Sequence, residues 1–214
     1  MENLNSSHHF LMLFNIFGWQ SLVISLKYSI FAFVMNDFTA ELKKLHELSG
    51  AEFSRQVERI ALRKEFHPLD TEPEIFTVGG EKNDDYQRLL VAARKAVMLG
   101  YRVYMLPNPK EIRTPDFIFV KKRAYRIYDL KTVYGKSSIA DSLLDSIGQC
   151  NRILLNLMVE YNTRSLAFAI NKYFEVNPQA IEVLVFKGLK QVSVNRSMAT
   201  KNNFLFTFKR LYER

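Results

Sequence analysis

The chain has 214 residues, 48% of them hydrophobic and 24% charged, so it can bury a core without disulfides or structural metals. Its one cysteine, Cys150, excludes an intramolecular disulfide framework, and we expect a small buried apolar residue inside a helix. Four scattered histidines argue against a structural zinc site, which leaves carboxylates as the ligands of any metal ion. The net charge of +8 suits a polyanionic partner, and all of it lies in residues 36–214, because Glu2 and Lys27 cancel.

Residues 1–35 are predicted to be an apolar N-terminal extension. Five polar residues interrupt its apolar stretch, which makes it a poor membrane span: Asn15, Gln20, Ser21, Ser25 and Lys27. Three interpretations remain open, namely a marginal membrane anchor, a helix packed on the domain, and an extension translated from a start codon assigned too early. We favour the third, because Met35 precedes a polar amphipathic segment and no basic cluster typical of a signal peptide precedes the apolar stretch. We therefore expect a cytoplasmic protein without a membrane partner.

Residues 36–80 are predicted to form a helical region followed by a linker. Apolar residues recur at helical spacing over 39–65, and the Ser49–Gly50 pair is expected to interrupt this helix. Residues 67–80 contain two prolines and two glycines without a clear period, which is typical of a linker. A domain boundary near residue 80 follows.

Residues 81–214 are predicted to form one α/β layered domain. A first helix begins at Asp84 or Asp85, runs to Leu99 and ends at Gly100. Strands are expected at 101–106, 116–120, 125–132, 181–187 and 191–195, and further helices at 138–161, at about 163–175 and from about Met198 onward. Strands and helices that alternate in this way favour a sheet covered by helices.

Two acidic residues and a lysine are placed by strand geometry on one face of a predicted hairpin. Asp129 and Lys131 are two residues apart in one strand, so their side chains point the same way. If the hairpin turns tightly at Lys122 and Arg123, the numbers of paired residues sum to 245. Asp116 then lies opposite Asp129, with the two Cβ atoms roughly 5 Å apart. The pattern therefore predicts two adjacent carboxylates beside an ammonium.

Two like charges directly opposite each other are destabilising unless a cation or a proton lies between them. A shared divalent cation beside an ammonium is suited to phosphodiester hydrolysis, in which the ammonium orients the nucleophile or stabilises developing negative charge. A purely structural interpretation stays open. In it, Asp116 closes a turn after Pro115, and Asp129 and Lys131 form a solvated strand face.

Pro115-Asp116 with Asp129-Leu130-Lys131 resembles the PD-(D/E)xK nuclease signature, with Asp in place of the more frequent Glu. Residues 81–160 also resemble the tRNA nuclease domain at the C-terminus of contact-dependent growth-inhibition toxins, and related proteins of bacterial mobile elements. The shared features are a helix ending in Gly-Tyr, a Leu-Pro loop, Thr-Pro-Asp-Phe, a short hairpin into Asp-x-Lys, a Gly-Lys-Ser-Ser loop and a helix bearing Gln.

The resemblance implies a restriction-endonuclease-like α/β fold, with a central mixed sheet flanked by helices over residues 81–214. It implies a metal-dependent endonuclease that acts on tRNA or other RNA, with Mg²⁺ as its metal and an immunity or inhibitor protein as a further partner. Asp116 and Asp129 would bind the metal, and Lys131 would complete the catalytic site. Two alternatives stay open, a DNA endonuclease and a non-catalytic nucleic-acid-binding module, because nothing in the sequence reports a 2′-hydroxyl.

The family usually adds an acidic residue from the first helix, and here the match is incomplete. The middle of that helix, 89–97, contains no Asp or Glu, whereas Glu81, Asp84 and Asp85 lie at its start. We choose Asp85 as the fourth catalytic residue. The alternative is that Asp84 and Asp85 cap the helix and complement its dipole.

Six residues are candidates for contacts with nucleic acid: Lys110, Arg113, Lys136, Ser138, Gln149 and Arg152. Lys110 and Arg113 precede the Asp116 strand, and Lys136 and Ser138 lie in a polar loop at a helix start, where N–H groups can bind phosphate. Gln149 and Arg152 are expected on the polar side of the following helix. For each of them, a solvated surface residue is the alternative.

Overall fold

The computed structural model describes residues 37–79, 84–108, 114–135 and 139–214. The chain divides into two compact units, residues 1–42 and 43–214. Of the first unit, residues 37–42 are described, and they belong to a helix that ends at residue 44. The predicted extension of residues 1–35 lies outside the described residues, so its three interpretations stay predictions. Among the described residues, no helix combines the length and the apolarity needed to cross a bilayer.

The second unit has an α/β fold built on one mixed sheet of eight strands. After a 3₁₀ turn at Leu45–Glu47, the helices are α1 (Gly50–Ala61), α2 (Asp84–Met98), α3 (Ile139–Leu144), α4 (Thr163–Val176), α5 (Arg196–Ala199) and α6 (Phe204–Glu213). The strands are β1 (His67–Leu69), β2 (Glu72–Thr77), β3 (Arg102–Met105), β4 (Phe117–Lys121), β5 (Ala124–Val133), β6 (Arg152–Leu157), β7 (Glu182–Lys187) and β8 (Lys190–Asn195). The predicted α/β class is therefore confirmed.

The strands lie in the sheet in the order in which they occur along the chain, from β1 to β8. The pairs β2–β3, β5–β6 and β6–β7 are parallel, and the other four pairs are antiparallel. Strands β3, β4 and β5 form an antiparallel meander in the middle of the sheet. Helix α2 precedes this meander along the chain, and α3 follows it.

Apolar side chains cover both faces of the sheet. On the first, here called the α2 face, Ala93 and Ala96 of α2 pack with Phe117, Leu154 and Leu184. On the second, here called the α4 face, helices α3, α4 and α6 pack against the strand residues that alternate with those of the first. Strands β6 and β7 are consequently buried on both sides, as is usual for parallel strands in α/β proteins.

Several local predictions are confirmed. A break separates the helix that ends at residue 44 from α1, and Gly100 ends α2 with a φ of 83°, a conformation that favours glycine. The hairpin between β4 and β5 turns at Lys122 and Arg123, whose φ angles of 51° and 62° are those of a type I′ turn. The paired residues sum to 245, as in Phe117 with Tyr128.

The predicted linker at residues 67–80 is wrong, because its described part forms two strands. Strand β1 pairs with β2, and β2 pairs in parallel with β3, so the sheet crosses the predicted boundary near residue 80. The prolines were interpreted as evidence against strands. Pro68 lies in β1, which is an edge strand, and such a strand tolerates a residue without an N–H donor.

The predicted long helix at 138–161 is also wrong. Helix α3 ends at Leu144, Gly148 adopts a φ of 85°, and β6 begins at Arg152. Sequence periodicity does not distinguish a short apolar run buried on both faces from a helix segment. Cys150 therefore precedes a strand, and the predicted terminal helix is divided into α5 and α6.

Candidate metal site at the β4–β5 hairpin

The start of β4 and the middle of β5 bring Asp116 and Asp129 together. Asp116 directly precedes β4, and its backbone is held on both sides. Its N–H donates to Tyr128 O at 2.9 Å, and its carbonyl accepts from Leu106 N at 2.8 Å. The regular pairing of β4 with β5 extends from the turn to Phe117 with Tyr128 and does not include Asp116. Asp116 thus lies beside β5 at the end of the hairpin, although the predicted register pair of Asp116 with Asp129 is not part of the ladder.

The side chains form a compact acidic pair with one ammonium. Asp116 Oδ2 accepts a hydrogen bond from Leu130 N at 2.7 Å, and its carboxyl also hydrogen-bonds to the Asp129 side chain. Asp129 is buried, with 3% of its surface exposed, and Lys131 Nζ lies 3.0 Å from its Oδ2. Because Val133 of the same strand packs in the α4-face core, Asp129 and Lys131 also point to the α4 face. The structure therefore brings together three of the four predicted catalytic residues.

The electrostatics of the pair favour a bound proton or cation. Burial raises the pKa of the Asp116 carboxyl, and the neighbouring charge of Asp129 adds to the effect, so that the pKa reaches about 7. The Leu130 N–H and the Lys131 ammonium act in the opposite direction and lower this pKa. One carboxyl group is therefore partly protonated near neutral pH when no cation is bound.

Cys150 and Tyr173 lie near Asp129, and the sequence did not indicate either of them as part of this site. The Cys150 thiol donates to Ile127 O at 3.6 Å, and burial, with a smaller effect of the Asp129 charge, raises its pKa to about 12. Tyr173 of α4 is buried, and its hydroxyl accepts from Asn177 Nδ2 at 3.1 Å. Because residues 138–161 were predicted to form one helix, Cys150 was not placed next to β5.

Asp85, the fourth predicted catalytic residue, lies apart from this pair. Its carboxylate is exposed in the first turn of α2 and forms an ion pair with Arg88. In the described ranges, no group of three or more His, Cys, Asp or Glu residues could hold a metal ion together. Glu81 lies outside the described residues, and so does the side chain of Asp84. Among described carboxylates, only the Asp116–Asp129 pair matches the predicted site.

The predicted nucleic-acid contacts are placed in part. Four of them lie outside the described residues: Lys110, Arg113, Lys136 and Ser138. Gln149 lies in the turn after α3, where its Nε2 donates to Asp145 O at 2.9 Å. Arg152 is the first residue of β6 instead of a helix residue, and its Nε lies 3.4 Å from Glu182 Oε2. These two residues do not share the helix face on which they were expected.

The donor set of the pair fits a hard divalent cation. Magnesium is bound in proteins by one or two carboxylates, with water and substrate phosphate oxygens as its remaining ligands. Asp116 and Asp129 provide two such carboxylates, and the repulsion between them is the unfavourable energy that a cation would remove. Lys131 contributes a positive charge beside the pair, where negative charge on a phosphate could be stabilised.

Comparison with protein-family models, with curated proteins and with solved structures finds no match for this chain.

Proposed function

We propose that the chain is a metal-dependent endonuclease that hydrolyses phosphodiester bonds, with RNA as its substrate. One observation carries the proposal, which is the adjacency of the partly buried Asp116 and the buried Asp129, with Lys131 Nζ at 3.0 Å from Asp129. A purely structural role for Asp129 and Lys131 on a solvated strand face does not suit this burial, because Asp129 is only 3% exposed.

The fold supports a restriction-endonuclease-like architecture. A helix, an antiparallel meander of three strands, a second helix and a parallel strand follow one another from α2 to β6. Asp116 directly precedes β4 and Asp129 lies in the neighbouring strand β5 of that meander, which suits the PD-(D/E)xK resemblance. Strands β1 and β2 extend the sheet on one side, and β7 and β8 extend it on the other.

The roles of the residues follow from their positions. Asp116 and Asp129 would hold Mg²⁺, which supplies a Lewis acid and a source of activated water when bound. Leu130 N–H holds one Asp116 oxygen, so the carboxylate keeps its orientation toward Asp129. Lys131 would hold a phosphate oxygen and stabilise the negative charge that develops on it. Asp85 would join the site only if it left its ion pair with Arg88 and the first turn of α2 changed its conformation.

The choice of RNA rests on the resemblance to toxin tRNA nuclease domains, and the basic residues support a polyanionic substrate in general. The formal net charge of +8 favours the approach of nucleic acid by counterion release. An immunity or inhibitor protein would accompany such an activity in the cell. DNA is the competing substrate, because the same carboxylate pair can serve either polymer.

The test is cleavage by the purified full chain with MgCl₂, offered tRNA and duplex DNA in separate reactions. We expect tRNA to be cut and the reaction to stop with EDTA or with Asp129→Asn. Asp70→Asn is the matched control, because Asp70 is an exposed carboxylate in the β1–β2 turn. Cleavage of duplex DNA alone would refute the RNA assignment, and equal cleavage by Asp129→Asn would refute the nuclease proposal.

The ion pair between Asp85 and Arg88 favours a second candidate, a nucleic-acid-binding module without catalysis. Such a module would use the same fold with an incomplete acidic set. It would bind RNA with a strong salt dependence, and Asp129→Asn would leave that binding intact. Binding without magnesium-dependent cleavage would favour this candidate over the enzyme.

A further inference from the structure

A second buried carboxylate, Glu182, lies on the α2 face and holds two arginines. Glu182 begins β7 and is 5% exposed. Its Oε2 accepts from the Tyr128 hydroxyl at 3.0 Å, and its Oε1 accepts from the Ser193 hydroxyl at 2.6 Å. Arg126 Nη1 lies 3.5 Å from Oε1, and Arg152 Nε lies 3.4 Å from Oε2. The hydroxyls thus provide the hydrogen bonds to the carboxylate, whereas the arginines provide opposite charge.

Most of the guanidinium donors are not used by Glu182. A guanidinium carries five N–H donors. The buried Nε of Arg152 lies in ion-pair range of Glu182 but forms no hydrogen bond. Arg126 also has the Tyr128 side chain as a hydrogen-bonding neighbour. Among the described residues, neither arginine forms an ion pair with another carboxylate. The two side chains are therefore oriented by Glu182 and retain N–H groups for another acceptor.

The charge and the exposure of this cluster suit an external anion. Two guanidinium groups and one carboxylate leave a net charge of one positive unit. The Arg126 side chain is 47% exposed and the Arg152 side chain 19%, whereas the Glu182 side chain is 7% exposed. Arg126 is thus accessible from solvent, Arg152 is partly accessible, and the carboxylate is the most buried of the three groups. Strand pairing fixes the distance between Arg152 and Glu182, because the two residues are register partners in β6 and β7.

We propose that Arg126 and Arg152 form a binding site for a phosphate group on the α2 face. Guanidinium groups bind phosphate oxygens through paired N–H donors, and a buried carboxylate that fixes their orientation lowers the entropic cost of that binding. A free phosphate and a backbone phosphodiester offer the same oxygens. The site lies on the opposite face from Asp129 and needs no hydrolysis, so it is independent of the nuclease proposal.

The first experiment measures the melting temperature of the full chain in EDTA, with inorganic phosphate against sodium chloride of equal ionic strength. We expect phosphate to raise the melting temperature in proportion to the logarithm of its concentration, as for a ligand of the folded state. Arg126→Gln should lose at least half of this increase. Arg164→Gln removes the same charge from an exposed position in α4 and should respond as the parent does.

A second variant keeps the test decisive if Arg126→Gln does not fold. Arg126→Lys preserves the charge without the planar donors, and it should bind phosphate more weakly than the parent. The proposal is refuted if the parent shows no phosphate-specific increase, or if the folded Arg126 variants respond as Arg164→Gln does.

A third measurement separates the two sources of phosphate. Binding of a labelled single-stranded RNA oligonucleotide is measured in EDTA over a range of salt concentrations. If the site takes backbone phosphate, Arg126→Gln should reduce the slope of log K against log salt by about one relative to Arg164→Gln. If it takes free phosphate, the oligonucleotide slopes should be equal while the response to inorganic phosphate is still lost.

Discussion

At the scale of single residues, the carboxylate pair makes opposite demands on stability and on activity. Asp116 and Asp129 repel each other in the absence of a cation, and Lys131 reduces this repulsion without removing it. A neutral amide at either position would remove the repulsion and keep a hydrogen-bonding side chain of similar shape. It would also remove one of the two carboxylates that are proposed to hold the metal.

We therefore predict that Asp116→Asn and Asp129→Asn each abolish magnesium-dependent cleavage. Their melting temperatures in EDTA should match or exceed that of the parent, because one of two like charges is gone. Magnesium should raise the parent's melting temperature more than that of either variant, since an ion that binds only the folded state stabilises it. A variant that cleaves normally, or that unfolds in EDTA while the parent stays folded, would mean that these residues are structural.

The raised pKa of Asp116 predicts how stability changes with pH. Its value of about 7 in the folded chain lies above the ordinary 3.8, so the folded state binds more protons between these limits. The contribution of Asp116 is therefore complete below pH 4 and is lost as the pH rises through 7. In EDTA, the parent's free energy of unfolding should fall more steeply from pH 5 to pH 8 than that of Asp116→Asn. Parallel urea-denaturation profiles of the two proteins would contradict the shift.

Lys131 should behave differently from the two acids. Lys131→Ala removes the ammonium 3.0 Å from Asp129 but leaves both carboxylates in place. We expect cleavage to be lost while magnesium still raises the melting temperature. Lys172→Ala, at an exposed position in α4, is the control for the loss of one positive charge. Loss of the magnesium response in Lys131→Ala alone would mean that Lys131 holds Asp129 in the orientation that binds the metal.

At the scale of secondary-structure elements, the β4–β5 turn determines which residues face each other. Lys122 and Arg123 both have positive φ angles, which cost non-glycine residues roughly 1–2 kcal/mol each. Replacing them with Asn-Gly should raise the free energy of unfolding by about 1 kcal/mol in urea denaturation. A double Gln variant removes the same charges without the backbone preference and should not gain this stability. Cleavage should be retained in both, because the turn lies at the opposite end of the hairpin from Asp116.

The same hairpin shows what the sequence could predict. Its register followed from two-residue alternation and a tight turn, and both are local properties of residues 117–128. The error at 138–161, where a helix was predicted instead of a strand, has a physical cause. Leu154 and Leu155 are both fully buried, on opposite faces of the sheet, so the sequence shows no alternation that would indicate a strand. The Glu182 cluster escaped prediction for a related reason. Its members come from β5, β6, β7 and β8, and only the folded sheet brings them together.

At the scale of the whole molecule, the sheet makes the second unit depend on residues before the predicted domain boundary. Ile75 of β2 is 1% exposed in the α2-face core, and β2 covers the edge of β3. Helix α1 contacts β5, and its Val57 and Ile60 are almost fully buried. A fragment of residues 81–214 would lose all of these contacts and expose a strand edge that can pair with other chains.

We predict that residues 43–214 fold as one cooperative unit, whereas residues 81–214 aggregate or show no cooperative transition. The measurement is far-ultraviolet circular dichroism during urea denaturation, with sedimentation to detect association. Each fully buried aliphatic side chain contributes about 1.5–3 kcal/mol, so the loss of Ile75, Val57 and Ile60 alone would remove a large share of the 5–15 kcal/mol that stabilises an ordinary domain. A monomeric fragment of residues 81–214 that unfolds cooperatively at the same urea concentration as residues 43–214 would restore the boundary near residue 80. Strands β1 and β2 would then be an addition to a domain that is stable without them.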